Sequence, residues 1–350
     1  MTHDEFVDRI RHGTQISGAD CRGWDLSALD LSGALLDDVD FSGANFAGAN
    51  LEGSSLSHCT LSNCDFSLGN LKEVQFFRNR MDAARFDAAT LEGASFVECH
   101  VPQASFDKTR LDLVKFFRCQ LTESRLHSQQ FDRANFMESQ LDRVDFSGAA
   151  LSFVTFHRLD LKTAVFADAS CTSVMFLECD LGRQRFAGLA LRLCQFTDSR
   201  LDDADFSGAT LTQSNFKGAS LKRANFSQAD ACQTLFPEAD LSGANCGAGR
   251  FDQSIWVEAV LERADFSNAR LPLGVFHRAR CAGANFHGAE LQDADLSYAD
   301  LTGVDLSDAH FLRTRFHRAQ QQGARFSAGR GGIIDNEPEL YKAQSWSDSH

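Results

Sequence analysis

The sequence predicts an all-β solenoid, a four-sided β-helix of about 16 coils with a short cap at each end. Three observations predict it. Leu or Phe stands at nearly every fifth position from Ile16 to Phe326, in one frame; the exceptions include four Cys and a few other apolar residues, and only Gln321 is polar. Between Phe66 and Phe236 most of these positions alternate Phe with Leu, a ten-residue period. An outward motif returns every 20 residues, as Gln75-Phe76-Phe77-Arg78, Ser95-Phe96-Val97-Glu98, Lys115-Phe116-Phe117-Arg118 and Asn135-Phe136-Met137-Glu138.

A period of five fits neither a helix nor a plain strand. It fits a short extended face followed by a corner. Side chains two apart on an extended chain share a side, so the large centre residue and the residue two before it both point inward. The latter is usually small, as at Ala44, Ala84, Ala134, Ala204 and Ala264. The residue before the centre is often Asp or Asn (Asp40, Asn45, Asp65, Asp205), and Gly is common two residues after it (Gly43, Gly48, Gly208). Both residue types tolerate corner geometry. Stacking Phe on Phe and Leu on Leu requires four faces, hence 20 residues per coil; coils about 4.8 Å apart then make a rod of about 75 Å. Of the 31 Phe, 27 occupy centres, so the core is built from rings without a polar tip. Bulkier inward residues at Val114, Val144, Val154, Leu159 and Leu189 predict slightly swollen coils.

Three segments follow: a capping helix within residues 1–15, the β-helix over 16–326, and a cap or tail over 327–350. Residues 4–12 place Phe6 and Ile10 on one helical face. The run Gly329-Arg330-Gly331-Gly332 reads as a hinge, after which Ile333, Ile334, Leu340, Tyr341 and Trp346 can fold back over the open end.

Little in the chain points to catalysis. Ten of the eleven Cys fall at inward positions and read as small buried hydrophobes, with Cys232 alone facing out. No Cys-x-x-Cys, His-x-x-x-His, Gly-x-Ser-x-Gly or phosphate loop occurs, so no metal and no cofactor is expected. His157, His277, His287 and His317 are expected to point outward. The periodic Asp and Asn read as corner hydrogen-bonding groups rather than paired catalytic carboxylates. A net charge of −14 disfavours direct nucleic-acid binding. The start of the chain lacks a basic and apolar leader, and no apolar run reaches the roughly 20 residues of a membrane span. A cytoplasmic, non-enzymatic protein is expected.

One face departs from the polar pattern. After its centres, 20 apart, stand Phe77, Val97, Phe117, Met137, His157 and Leu177; before centres on the same face stand Met175, Leu235, Ile255 and Val275, with Val257 further along. The adjoining corner adds Leu113, Phe153, Leu193 and Leu273. Beside the strip the corner alternates in sign: Arg78, Glu98, Arg118, Glu138, Arg158, Glu178. An apolar strip of several hundred Å², on the order of a functional patch, with a charged rim is expected to bind a protein partner or a second copy.

Segments such as Ala-Asn-Phe-Ala-Gly, Ala-Asp-Phe-Ser-Gly and Ala-Asp-Leu-Ser-Tyr resemble the pentapeptide-repeat family, with its A-(D/N)-L-x-x pattern, over about residues 16–326. The resemblance implies a right-handed quadrilateral β-helix and a protein-interaction role. The opening, Gly18-Ala19-Asp20 through Leu26, Leu31 and Gly33, is similar to pentapeptide-repeat proteins associated with bacterial type VI secretion adaptors. The alternative that the resemblance implies is an acidic DNA mimic, since some members occupy the DNA-binding saddle of a type II topoisomerase (gyrase). Asp25, Asp65, Asp145, Asp205, Asp265 and Asp305 share one face here, but Arg85, Arg125 and Arg185 interrupt them.

Overall fold

A computed structural model describes residues 1–127, 129–327, 331–336, 338–339 and 341–342. The chain forms two units, Met1–Asp180 and Leu181–His350, each a four-sided β-solenoid. The turns number about 16 in all. Faces are named first to fourth in chain order, with centres such as Phe76, Met81, Phe86 and Leu91. Residues 20 apart pair in parallel, for example Asp40 with Thr60 and Asn45 with Asp65 in the first unit, and Asp205 with Asn225 in the second. Centres are buried along both units, except that Phe311, Gln321 and Phe326 at the far end are half-buried.

Most corners are hydrogen-bonded β-turns in which the N–H three residues after a centre donates to the centre's carbonyl, as from Ala44 to Phe41 at 2.8 Å. The residue two after the centre has φ between 47° and 72° at the described corners from Gly18 to Gly323, apart from Thr163. This is the type II turn, whose third residue is left-handed. It explains the recurring Gly, and it explains Thr163, because a β-branched residue is strained there. Pro102, Pro237 and Pro272 each follow a centre, the turn position that suits their fixed φ. The Asp or Asn before a centre accepts the N–H two residues on, as Asp65 does from Ser67 at 2.9 Å, the corner role expected of them.

In the first unit an α-helix, α1 (His3–Arg11), covers the first coil; it lies one residue earlier than the predicted span. Thr2 and Glu5 form a capping box. Phe6 is fully buried, edge-on to Trp24 and Phe41 at 5.6 and 6.0 Å. Above it run two ring ladders. First-face rings stack Phe76–Phe96–Phe116–Phe136 at 4.7 to 5.1 Å. Third-face rings Phe66–Phe86–Phe106 stack at 5.1 and 4.9 Å, and the two ladders meet edge-on, as Phe86 does with Phe96. Where the third face has Leu126, the next position supplies Phe131, whose ring reaches both Phe136 and Phe146 at 6.1 Å.

The second unit repeats the device. Its third face loses a ring at Cys246, and Phe251 follows, lying 5.4 Å from Trp256 and 6.1 Å from Phe266. At the far end Ile333–Ile334 pairs in parallel with Thr314–Arg315. Gly332 (φ +105°) permits the return, since a Cβ there would sit 2.4 Å from the Phe311 carbonyl oxygen. The Tyr341 ring lies under the Arg318 guanidinium at 5.4 Å. Leu340, Trp346 and the Gly329-Arg330 part of the hinge lie outside the described residues.

Two expectations change. His317 does not point outward: it is buried, 5.5 Å from the Tyr298 ring, at the level where segment 333–336 returns. Swelling occurs at only some bulky inward residues. Val144 and Leu189 keep the closed turn, with N–H bonds to Leu141 and Phe186 of 3.2 and 3.1 Å. Val154 and Leu159 follow corners where the chain stays extended one residue longer.

Candidate protein-interaction surface

Throughout the first unit the first face has open corners. Its strands, from Ile16–Ser17 to Met175–Leu177, continue past the centre and form a nine-stranded parallel sheet. The residue after each centre is therefore a ladder member. Phe77 pairs with Val97, Val97 with Phe117, Phe117 with Met137, Met137 with His157, and His157 with Leu177. All six are half-buried, because parallel neighbours cover one another.

An open corner leaves a backbone N–H and a carbonyl that a closed turn would join. The inward residue of the next coil joins them instead at most of these corners, the apolar Val39 and Leu159 being the exceptions. Asn79 Oδ1 accepts the Cys59 N–H at 2.7 Å, and its Nδ2 donates to the Leu56 carbonyl at 2.8 Å. Ser139 accepts from the Cys119 N–H at 3.0 Å and donates to the Met137 carbonyl at 2.9 Å, with the Phe116 carbonyl 3.4 Å away. The Cys99, Cys119 and Cys179 thiols donate to the carbonyls of Phe76, Phe96 and Phe156 at 3.3 to 3.4 Å. Ten Cys are buried and Cys232 is partly exposed, as the frame predicts. These thiols are more than hydrophobes, however: they stitch the corners under the strip. Burial pushes the Cys59 thiol up to about 11 and that of Cys179 to about 12, so both keep the proton they donate.

The charged corner resolves into pairs. Arg78 meets Glu98 at 2.7 Å, Arg118 meets Glu138 at 2.9 Å, and Arg158 meets Glu178 at 2.9 Å. The Arg78 and Arg118 guanidinium groups also lie over the Phe77 and Phe117 rings, at 4.8 and 4.7 Å. Hydrogen bonding to Arg158 holds the Glu178 carboxyl below its ordinary range.

The fourth-to-first corner carries Leu113 and Phe153, exposed at 42% and 57%, both left-handed. A bulky non-glycine residue there costs about 1–2 kcal/mol, and exposing it recovers nothing within the unit. Next to them a shallow cavity of about 750 Å³ is lined by Gly53, Glu73, Gly93, Ser95, Phe77 and Val97, among others. Of the predicted residues, Phe77, Val97, Phe117, Met137, Leu177, Leu113, Phe153, Arg78, Glu98, Arg118 and Glu138 lie on this face or its edges. Leu193 belongs to the second unit, exposed at 46%. There Leu235, Ile255 and Val275 pair in turn along the first face. Sequence reasoning missed Leu35, exposed on the first face of the first unit, and Leu68, a third-face corner residue exposed at 72%; their fivefold positions were the available signal.

Among the described residues no cluster of His, Cys, Asp and Glu could hold a metal ion, and no helix is long and apolar enough to cross a membrane.

Two family models match the chain. One describes a pentapeptide repeat region, at residues 69–146 and 169–246; the other, pentapeptide repeats in eight copies, matches 34–72, 275–308 and 294–328. The chain belongs to the pentapeptide-repeat family. Among solved structures it is similar to HetL, a pentapeptide repeat protein involved in heterocyst differentiation regulation from the cyanobacterium Nostoc sp.. They share 20% identity with a TM-score of 0.21, over 87% of this chain and 96% of that one. Full-length QnrB1, a plasmid-mediated fluoroquinolone resistance protein, is 15% identical with a TM-score of 0.22, over 64% and 96%. A pentapeptide repeat protein of the Arabidopsis thaliana thylakoid lumen is 31% identical with a TM-score of 0.20, over 28% and 69%. No protein of curated function matches the chain.

Proposed function

We propose that this pentapeptide-repeat protein is a non-enzymatic interaction scaffold that acts in the cytoplasm and holds a protein through the first face of its Met1–Asp180 unit. One observation carries the reading. The apolar ladder from Phe77 to Leu177 is continuous over six coils, and its edge presents Leu113 and Phe153 exposed in a strained conformation. An apolar centre with a charged rim is the anatomy of a contact surface. The test is affinity purification from native cells with the wild type beside a Phe77→Ser, Phe117→Ser, Leu177→Ser variant shown to be folded by circular dichroism. A protein or second copy held by the wild type and lost by the variant is the expected result. Equal recovery by both refutes the reading.

The net charge of −14 supports a second reading, an acidic mimic of DNA that binds a topoisomerase. Its carboxylates are largely neutralised locally, as Asp65 is by Arg85 at 3.3 Å and Asp305 by Arg325 at 2.8 Å. That reading requires binding that weakens steeply with salt. The apolar strip requires weak salt dependence. Association with a secretion apparatus rests on the opening residues alone and adds none to the surface.

A further inference from the structure

The charge order along the first face of the first unit is self-complementary, and this deepens the interaction reading on which it rests. We propose that the occupant of the face is a second copy of this chain, lying antiparallel across it. The two-fold axis runs across the face between the coil of Phe117 and the coil of Met137.

The argument starts from the alternation Arg78, Glu98, Arg118, Glu138, Arg158, Glu178, one residue per coil at one edge. A two-fold axis across the face reverses the coil order and brings that edge against its own copy. Six alternating members then meet with every Arg opposite a Glu: Arg78 faces Glu178, Glu98 faces Arg158, and Arg118 faces Glu138. A slip of one coil destroys this, setting Arg118 on Arg118, Glu98 on Glu138 and Arg78 on Arg158. Like charges then exclude the neighbouring registers. A parallel pairing instead sets the charged edge against the opposite edge, where only Arg78 and Glu138 would meet an opposite charge, in Glu73 and Arg133, while Arg118 would meet Leu113 and Arg158 would meet Phe153.

The other edge carries a second, independent match. The axis that pairs the charges places Phe153 of one copy opposite Gly93 of the other, and Leu113 against the stem of Arg133, whose guanidinium is held by Asp132. Phe153 is the exposed ring of that edge, and Gly93 lines the shallow cavity. A side chain is missing where a side chain would arrive. In the middle, Phe117 meets Met137, and at the ends Phe77 meets Leu177, so the apolar ladder closes on itself. The contacting plate is about 29 Å long and 16 Å wide, roughly 900 Å² over two copies, which is the size of a weak, transient interface, so a dissociation constant of micromolar order or weaker is expected.

Sedimentation velocity over a dilution series tests the proposal on the full chain. The wild type should dimerise with Kd on the order of 10 µM. Arg118→Glu alone and Glu138→Arg alone should each weaken the dimer at least about tenfold, because each creates two like-charge contacts per dimer. An equimolar mixture of these two variants should dimerise as the wild type does. In the mixed dimer one copy brings two carboxylates to the central positions and the other brings two guanidinium groups, so both central contacts again join opposite charges. Phe153→Ser should weaken the dimer comparably. Folding is checked by melting temperature, which should fall by no more than a few degrees, because the internal Arg118–Glu138 pair and the Arg118 contact with Phe117 lie at the surface and are each worth about 1 kcal/mol or less. A wild type monomeric at ~200 µM, a dimer indifferent to both charge reversals, or a mixture that fails to recover overturns the proposal. A monomeric wild type that still loses a cellular partner through the triple serine variant overturns only the second copy. If that variant loses nothing either, the strip reading fails with it.

Discussion

Asn79→Ala should be among the most damaging polar substitutions in the first unit. Asn79 is 2% exposed. Its side chain is the partner both of the Cys59 N–H, at 2.7 Å, and of the Leu56 carbonyl, at 2.8 Å. Alanine leaves both groups buried. An unsatisfied buried group costs about 1–3 kcal/mol, so the pair should cost roughly 3–4 kcal/mol once partial relaxation is allowed. Asn79→Ser keeps a hydroxyl that can accept the Cys59 N–H, as Ser139 accepts that of Cys119 at 3.0 Å, and should cost about half as much. Urea unfolding followed by circular dichroism measures both, and amide hydrogen exchange localises the effect to the Cys59 N–H. If Asn79→Ala costs less than about 0.5 kcal/mol, the value of an ordinary surface substitution, the open corner does not depend on the relay and the reasoning is wrong.

Leu126→Phe alone should overpack and Phe131→Leu alone should leave a void, each costing about 1–3 kcal/mol, while the double variant restores a regular ladder at little net cost; thermal unfolding of the three variants gives the coupling. Phe166→Asp buries a carboxylate among stacked rings, and should unfold its neighbouring coils and abolish soluble expression. Stability should also fall in acid. Hydrogen bonding from Arg22 holds Asp20 down at about 2, and hydrogen bonds from Ser27, Ser32 and Ser307 hold Asp25, Asp30 and Asp305 below the ordinary 3.8. Their contribution is complete above the unfolded-state value and is lost as pH falls through the depressed folded values, so the melting temperature should drop between about pH 4 and pH 2.

The fold was legible because its signal is redundant. A centre every five residues, a Phe on every second centre and an Asp before the corner all demand the same coil. The exchange of Leu126 and Phe131 could also have been read, since a ring lost on one face returns at the next centre. The open corners were not legible in the same way. Cys, Ser and Ala all count as small at the inward position, and the partner they serve lies one coil away. His317 was misplaced because its burial depends on Tyr298 and a returning segment outside the repeat. The strip residues were found by period, but their half-burial was not. Residues after a centre are half-buried at closed corners as well, as at Ser67 and Lys72, so the half-burial belongs to the coil spacing and the ladder, which exists only where the corner opens, adds the side-by-side pairing.

That dependence ties the surface to the core. In the Leu181–His350 unit the inward column after the first face is Ser199 and then Ala219, Ala239, Ala259, Ala279, Ala299 and Ala319. The corners there close, with N–H bonds such as Ala219 to Phe216 at 3.0 Å. The residue after the centre becomes the second residue of a turn, where Pro237 fits and a ladder does not form. In the Met1–Asp180 unit the same column reads Ala19, Val39, Cys59, Asn79, Cys99, Cys119, Ser139, Leu159 and Cys179. Six of these nine side chains, all from Cys59 onward, carry a hydrogen-bonding group that can span an open corner. With the backbone extended, the next residue joins the sheet, where aromatic and branched side chains fit. Phe77, Val97 and Phe117 occupy those positions. A change of the six hydrogen-bonding residues from Cys59 to Cys179 to alanine should therefore close the corners they span and remove the strip without touching one of its residues. The buried thiols and amide are, on this account, part of the interaction surface.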